Sequence, residues 1–570
     1  MENIDYARVF EEIADLLEIQ GANPFRVRAY RNAARTIETL SQPLESLLRS
    51  DEQGLEELPG IGKDLAGKLR ELFQTGELQF LNDLRQQVPA SLVQIMQIPG
   101  LGPKRARQVW DALDITSVDE LEQAARSGAL EQLPGFGPTM QARVLKGIEE
   151  LKARAGRFKL SDADIYVQPL LTYLRQAEGL ADLEVAGSYR RRCETVGDID
   201  ILATTSDGST IMDHFVAYRE AEEVLAKGST KSSIRLKAGL QVDLRLVPQE
   251  SYGAAMHYFT GSKAHNIAIR GIGRERGLKI NEYGVFRGAR LLCGETEEEV
   301  FDAVDLPWIP PELREARGEI EAAREGRLPE IIRREHIRGD LQMHTTYSDG
   351  KNTVEEMVQA CRECGYKYMA ITDHGPALRM AGLKPSDFRK QFAEIEELQE
   401  RYEDIRILKS GEVDILEDGS LDLSDDLLVE MDVVVIAVHS KFNMSRADMT
   451  KRVTKAMRHP QVNILAHPTG RLINRREPYP VDVEELVKVA HNEGVVLELN
   501  AQPDRLDLRD FHLQMAREAG VKIVISTDAH RTAELDYMRY GVDQARRGWL
   551  EWADVANTLS LAEFLKLLEK

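Results

Sequence analysis

Cysteine is scarce in this chain: four among 570 residues, at Cys193, Cys293, Cys361 and Cys364. That excludes a disulfide scaffold and fits a reducing compartment. Cys361 and Cys364 form a lone C-x-x-C with no second pair to complete a zinc site; they lie in a helical pattern with Val354, Met357 and Val358, so core packing is expected there. No stretch reaches the ~18 apolar residues of a membrane span. Met1-Glu2-Asn3-Ile4-Asp5 has neither the basic start nor the apolar run of a targeting segment, so a cytoplasmic protein with no membrane partner is expected. Positive charge is short as well, with 74 Lys and Arg against 95 Asp and Glu and a formal net charge of −21. Such a protein does not coat nucleic acid indiscriminately, and any contact with it must come from local basic patches. The length exceeds what one core supports and implies three or four domains.

What is present begins with Gly187-Ser188-Tyr189-Arg190-Arg191, followed eleven residues after the glycine by Asp198-Ile199-Asp200-Ile201. Alternation at the strand period sends both carboxylates to one face and the isoleucines into the core. Carboxylates two apart on a strand lie roughly 6.5 to 7 Å from one another, a span suited to two divalent ions about 3.5 to 4 Å apart. Asp243, in Gln241-Val242-Asp243-Leu244-Arg245-Leu246, supplies a third acid on a second strand. Gly187 lets backbone approach a phosphate, Ser188 offers a hydroxyl and Arg191 a charged fork. One Asp-x-Asp is commonly a solvated edge; with the Gly-Ser upstream and the lone acid downstream, the set resembles the palm of family X DNA polymerases, the group that contains DNA polymerase beta.

The first 155 residues are helical in pattern, and one phrase recurs: Leu58-Pro59-Gly60-Ile61-Gly62, Ile98-Pro99-Gly100-Leu101-Gly102 and Leu133-Pro134-Gly135-Phe136-Gly137. Each sits between amphipathic helices, as helix-hairpin-helix motifs do, and its amides can take a phosphate without reading bases. Lys63 and Lys68, then Lys104, Arg105 and Arg107, then Arg143 and Lys146 follow the three copies. A single P-G-x-G is as readily a plain turn; three with trailing bases point to the DNA backbone. Arg26, Arg28, Arg31 and Arg35 add a basic stripe that a solvated helix face would also produce. Lys68 falls where the resemblance places a Schiff-base lyase lysine, although Asp64 stands where the family has a second lysine.

The resemblance continues through Tyr258-Phe259-Thr260-Gly261-Ser262-Lys263, Asn266 and Arg270. It implies that Tyr258 and Phe259 lie against the sugar, Asn266 against the nascent base and Arg270 toward the template. Lys263 replaces an aspartate of the beta-like enzymes and brings a cation beside the incoming nucleotide. Gly277 to Phe286 matches the family thumb. These likenesses imply two-metal nucleotidyl transfer with Asp198, Asp200 and Asp243 holding Mg²⁺ or Mn²⁺.

The run from Glu312 to Arg338, rich in Glu and Arg, reads as a linker with some helix. Beyond it, short apolar strands alternate with amphipathic helices, the rhythm of βα units. Six of these strands end in donors: His344 and Asp349, Asp373-His374, Glu412, His439, His467, and Asp528-Ala529-His530. In a βα barrel all such ends open on one face, and nitrogen with carboxylate donors suits Zn²⁺ or Mn²⁺. The pattern resembles the polymerase and histidinol phosphatase (PHP) domain, a distorted (β/α)7 barrel of phosphoesterase chemistry with up to three metals. The resemblance implies His344, Asp349, His374, Glu412, His439, His467, Asp528 and His530 as ligands, with Gln342 replacing the first histidine of an H-x-H.

The expected chain is multidomain, α/β and α+β: an all-α region with a lyase-like domain at 1–80 and a helix-hairpin-helix domain at 81–155, a nucleotidyltransferase-type palm at 156–250, a thumb at 251–316, a linker at 317–335 and the barrel at 336–570. A monomeric DNA-repair polymerase is expected, acting on gapped or primer-template DNA with deoxynucleoside triphosphates. The barrel would supply a 3′–5′ exonuclease that also cleaves abasic sites or removes 3′-phosphates. Rival readings are a DNA-end scaffold with a vestigial metal site and a nucleotidyltransferase fused to a small-molecule phosphatase.

Overall fold

The computed structural model describes residues 3–38, 44, 48, 55–56, 58–76, 78–89, 92–96, 98, 100–153, 157–205, 208–378, 382–474 and 476–569. The chain divides into two compact units, residues 1–156 with 316–318, and residues 157–315 with 319–570. Among the described residues no helix is long and apolar enough to cross a membrane.

The first unit is helical, and five of its helices bear on function: α1 (Asn3–Ile19), α2 (Pro24–Glu38), α3 (Lys63–Thr75), α4 (Pro103–Leu113) and α5 (Pro138–Ala153). The three repeated phrases fold alike. Ile61, Leu101 and Phe136 each donate their amide to the carbonyl three residues back, at 3.0, 2.9 and 3.0 Å. The glycines at 60, 100 and 135 have φ of +81°, +94° and +83°. Proline before a left-handed glycine is the chemistry of a type II turn. The apolar residue after it, Ile61, Leu101 or Phe136, is buried and anchors the turn. Gly62 and Gly102 then cap α3 and α4, and Gly137 precedes α5; nothing lies within 4 Å of where their Cβ atoms would be. The first amides of these helices are thus uncovered. Part of the basic stripe is spent within the unit, because Arg31 of α2 pairs with Asp15 at 2.8 Å and Glu18 at 2.5 Å.

The second unit holds three sheets that matter. The palm sheet runs β1 (Leu180–Val185), β2 (Asp198–Thr205), β5 (Gln241–Leu246), β4 (Lys231–Leu236), β3 (Ala221–Lys227) across its width. Only the β2–β5 pair in it is parallel. Helix α6 (Leu160–Leu174) buries Leu160, Val167, Leu170 and Leu171 in one cluster with Ile199, Ile201, Val242 and Leu244 of the sheet. The thumb follows with α7 (Tyr252–Thr260), α8 (Lys263–Glu275) and an antiparallel meander of β6 (Lys279–Asn281), β7 (Gly284–Arg287) and β8 (Arg290–Cys293).

Seven parallel strands form the barrel: β9 (Gly339–Asp340), β10 (Tyr368–Ile371), β11 (Arg406–Asp414), β12 (Val433–Ala437), β13 (Ile464–Leu465), β14 (Val496–Asn500) and β15 (Ile523–Ser526). Neighbours in the chain are neighbours in the sheet, and a parallel bridge between Met343 and Ala529 brings its edges together. β10, β12 and β15 are buried at every residue, as expected of strands covered on both faces. Cys361 lies in the barrel core, as its helical pattern predicts, whereas Cys364 is exposed.

The segment expected to be a linker is, from Glu319 onward, part of the packed core. Helix α9 (Glu319–Arg324) buries Glu319, Ile320, Ala322 and Ala323, and Ile320 and Ile331 join the thumb cluster. Two of the segment's acids are held by distant groups: Glu319 meets His265 at 2.7 Å and Glu312 meets Arg546 at 2.8 Å. Palm and thumb are likewise sealed against the barrel, whose Ile473, Leu506 and Tyr540 belong to the palm cluster and Trp549 to the thumb cluster.

Glu297 ties the palm to the thumb. It receives both guanidinium nitrogens of Arg190 at 2.9 and 2.8 Å, Arg314 at 2.6 Å and the Trp308 indole at 3.1 Å. Burial pushes this carboxyl up, but the two arginines outweigh it and hold it well below its ordinary value of 4.5. Its stabilising contribution is therefore complete above that value and is lost as pH falls toward the depressed one. Glu297→Ala, which removes the carboxylate partner of the buried Arg314 and the half-buried Arg190, is expected to cost about 3–5 kcal/mol in urea denaturation, with the deficit shrinking in acid.

Candidate active sites

The parallel register of β2 and β5 sets Asp200 directly opposite Asp243. Asp198 is exposed, Asp200 intermediate and Asp243 buried, while Ile199 and Ile201 are in the core. Burial and the neighbouring Asp198 push the Asp200 carboxyl up to about 6. Burial also pushes Asp243 up, but Lys231, Ser233 and Gln241 outweigh it and the net shift is downward. Lys231 Nζ is 2.7 Å from Asp243, and Arg245 lies 3.9 Å from Asp200 and 3.7 Å from Asp243. These cations partly supply the charge that the facing Asp200 and Asp243 call for; Asp198 is near enough to raise Asp200 but, among the described residues, does not draw its carboxylate together with both others.

Of the expected nucleotide-side residues, Gly187 and Phe259 are joined to this centre. Gly187 has φ +65°, and a Cβ there would lie 3.4 Å from Asp200 Oδ2, so glycine lets the loop approach the acid. Arg245 stacks 4.5 Å above the Phe259 ring, and Tyr258 meets Phe259 edge-on at 5.1 Å. Asn266 is buried and donates to Tyr258 O at 2.7 Å; Lys263 and Arg270 of α8 are exposed. Ser262 caps α8 through the His265 amide. The Arg191 guanidinium is engaged within the protein: it donates to Thr260 O at 2.6 Å and to Glu315 at 3.0 Å. Sequence could not show this, because Glu315 lies 124 residues away.

In the barrel all eight expected donors converge. Glu412, at the end of β11, has nitrogens of His467, His439, His374 and His344 at 2.8, 3.2, 3.3 and 3.5 Å. Asp349 lies 3.5 Å from His374 and 3.4 Å from His530, and Asp528 lies 3.1 Å from His344. Three overlapping groups keep their donor atoms within 4.8 Å of one another: His344, Asp349, His374 and His530; His374, Glu412 and His439; and His344, Glu412 and Asp528. Burial pushes Glu412 up, yet His439 and His374 hold it well below its ordinary value. Burial lowers His439, but Glu412 and Asp414 raise it to about 10; Asp349 and Asp528 similarly raise His530 to about 9.

The chain matches the helix-hairpin-helix family over residues 1–78, the SAM-like helix-hairpin-helix tandem over 93–150, the DNA polymerase beta palm over 164–256, the DNA polymerase beta thumb over 255–315 and the PHP domain over 340–557. It is 39% identical over the whole of both chains to the Bacillus subtilis (strain 168) protein named DNA polymerase/3′-5′ exonuclease PolX. The chain belongs to the PHP-bearing bacterial family X DNA polymerases. DNA polymerase lambda of Rattus norvegicus is 25% identical over 55% of this chain and 56% of its own. A probable phosphatase of Thermoanaerobacter sp. (strain X514) is 30% identical over 33% of this chain and 78% of its own.

This family X polymerase has polar groups in its barrel that sequence reasoning passed over. The sixth strand of the barrel, β14, carries Glu498 and Asn500. Glu498 accepts from the His467 amide at 2.7 Å, and Asn500 donates to Asp528 at 3.0 Å. The signal was the alternation Leu497-Glu498-Leu499-Asn500, a polar residue at every second place of a buried strand. Asp414, two residues past Glu412, faces His439 Nδ1 at 3.2 Å and leaves Nε2 for the cluster. Arg505 stands 3.4 Å from Asp528.

The barrel fits divalent metal by its own donors. The Nδ1 atoms of His344, His374 and His467 are buried without a hydrogen-bond partner, as are both amide atoms of Gln342. Asp414→Asn is expected to weaken metal binding about 10–100-fold by releasing His439 from its orienting carboxylate. Titrating the full-length apoprotein with Zn²⁺ and with Mn²⁺ against a competing chelator measures this.

Proposed function

We propose that the chain fills short gaps in DNA by nucleotidyl transfer at the palm and degrades 3′-ends by phosphodiester hydrolysis at the barrel. The observation that carries this reading is two separate acidic centres in one unit, Asp200 opposite Asp243 in the palm and eight donors around Glu412 in the barrel. The full-length likeness to a protein named for both activities supports it.

Asp198, Asp200 and Asp243 would hold Mg²⁺ or Mn²⁺, and the eight barrel donors Zn²⁺ or Mn²⁺, up to three ions. Such ions supply phosphate charge neutralisation and lower the pKa of the attacking oxygen. The chain does the positioning. Arg245, between two acids and the Phe259 ring, fixes the palm carboxylates. Arg191 exchanges Glu315 for the triphosphate with help from Ser188, Gly187 and Gly261, while Lys263 adds attraction from the exposed start of α8. Asn266, Tyr258 and Phe259 frame the nucleotide, and Arg270 faces the template. In the first unit the uncovered first amides of α3, α4 and α5, in the turns built on Gly60-x-Gly62, Gly100-x-Gly102 and Gly135-x-Gly137 and with Lys104 nearby, hold DNA backbone. In the barrel, Asp414 fixes the tautomer of His439, and burial keeps bulk water from Glu412. The likeness to a probable phosphatase supports 3′-phosphate removal by the same groups.

A lyase reading of the first unit, which the neighbouring Asp64 carboxylate disfavours, rests on Lys68. It is 14% exposed, 2.5 Å from Asp64, with its ammonium 5.2 Å from the Phe80 centroid. Borohydride trapping on a 5′-deoxyribose-phosphate end is expected to disappear in Lys68→Ala; undiminished trapping assigns the chemistry elsewhere.

A gapped duplex incubated with deoxynucleotides and Mg²⁺ or Mn²⁺ tests the main reading. Asp200→Ala is expected to abolish extension and keep 3′-end degradation, and His439→Ala to do the reverse. Extension by Asp200→Ala, or equal nuclease activity in His439→Ala and the parent, refutes the corresponding assignment.

A further inference from the structure

A cavity of about 800 Å³ lies on the seam between the palm and the barrel mouth. Asp528, His530 and Arg505 line it together with the solvent-facing side of α6. Ser161, Asp162, Ile165, Gln168 and Pro169 line it at helical spacing, so one stripe of a palm helix faces the barrel's donors. The volume suits a nucleotide-sized ligand, since such sites span roughly 300–1,000 Å³.

Two features give the cavity a chemical direction. Of the cations lining it, Lys159 pairs with Asp504, Arg531 with Glu534 at 2.7 Å and Arg539 with Asp536 at 3.2 Å. Arg505 differs from these three in being paired with a carboxylate of the donor cluster, Asp528. A guanidinium at that position meets a phosphate lying on the cluster. Farther out, Ile165 is 66% exposed although it is a large apolar residue, and Tyr537 presents a ring on the barrel side. An apolar side chain and an aromatic ring make a platform on which any base can pack. The seam itself is fixed, because Asp164 accepts hydrogen bonds from Tyr189 of the palm at 2.5 Å and Tyr540 of the barrel at 3.0 Å.

We infer that this cavity is the subsite for the terminal nucleotide of the strand being trimmed, with the palm helix as its outer wall. The inference rests on the exonuclease reading and adds to it the residues that grip the nucleotide removed. Arg505 holds the phosphate, and Ile165 with Tyr537 holds the sugar and base. Hydrolysis breaks the bond between phosphorus and O3′ of the penultimate sugar. The water oxygen bonds to phosphorus, its proton passes to that O3′, and a nucleoside 5′-monophosphate is left in the cavity. A palm helix thus reads the product of the barrel's reaction.

Equilibrium dialysis of dAMP against the full-length protein, with deoxyadenosine and inorganic phosphate as comparisons, tests this. In Mn²⁺, dAMP is expected to bind more tightly than either fragment. Ile165→Trp, a change at an exposed site that fills the cavity, is expected to weaken dAMP about tenfold and to leave inorganic phosphate unaffected. Arg505→Gln is expected to weaken dAMP and phosphate together. The same Ile165→Trp protein should degrade 3′-ends about tenfold more slowly at limiting substrate and extend a gapped primer at the parent rate, which also shows that it is folded. Equal dAMP binding by Ile165→Trp and the parent, or dAMP binding no tighter than phosphate, overturns the subsite. If the parent protein shortens no 3′-ends, the exonuclease reading falls, and dialysis alone still decides the cavity.

Discussion

A carboxylate buried to 1% exposure with four imidazole nitrogens within 3.5 Å is the constraint on which the barrel depends. Glu412 cannot stay ionised in such a place without positive charge close by. The histidines provide that charge when protonated, and a bound cation replaces it when they are neutral. The same logic extends outward to Asp349 and Asp528. Seven parallel strands make the arrangement possible, because each contributes only one or two side chains and all their C-terminal ends open on one face.

The palm solves a similar problem with less burial. Its three acids are spread over two strands, one is exposed, and Lys231 and Arg245 stand among them. Most of the barrel's donors are buried, whereas the palm leaves Asp198 exposed and Asp200 half-buried.

The two centres are not on independent modules. Ile473, Leu506 and Tyr540 of the barrel complete the palm's apolar cluster, and Trp549 that of the thumb. Arg547 of the barrel donates to Arg191 O at 2.8 Å and to Glu315 at 2.9 Å, the acid that also holds the Arg191 side chain. Part of the segment expected to be a linker is packed for the same reason: Glu312, Glu315 and Glu319 are met by Arg546, Arg547 and His265, groups far away in the chain.

Much of the site was legible because its grammar is local. The strand alternation of Asp198-Ile199-Asp200 fixed which side chains face out. A proline before a glycine dictated the three turns, and donors at the ends of apolar runs marked the barrel's mouth. The sixth barrel strand escaped because Glu498 and Asn500 sit inside an apolar run instead of after it. What the sequence by itself determined is the inventory of donors and the elements that carry them, since φ preference and hydrophobic period act over a few residues. Only the tertiary structure decided that Asp200 lies opposite Asp243, that Arg191 is held by Glu315, and that a palm helix walls the cavity at the barrel's donors. Those relations arise from packing between segments tens to hundreds of residues apart, for which no short-range pattern exists.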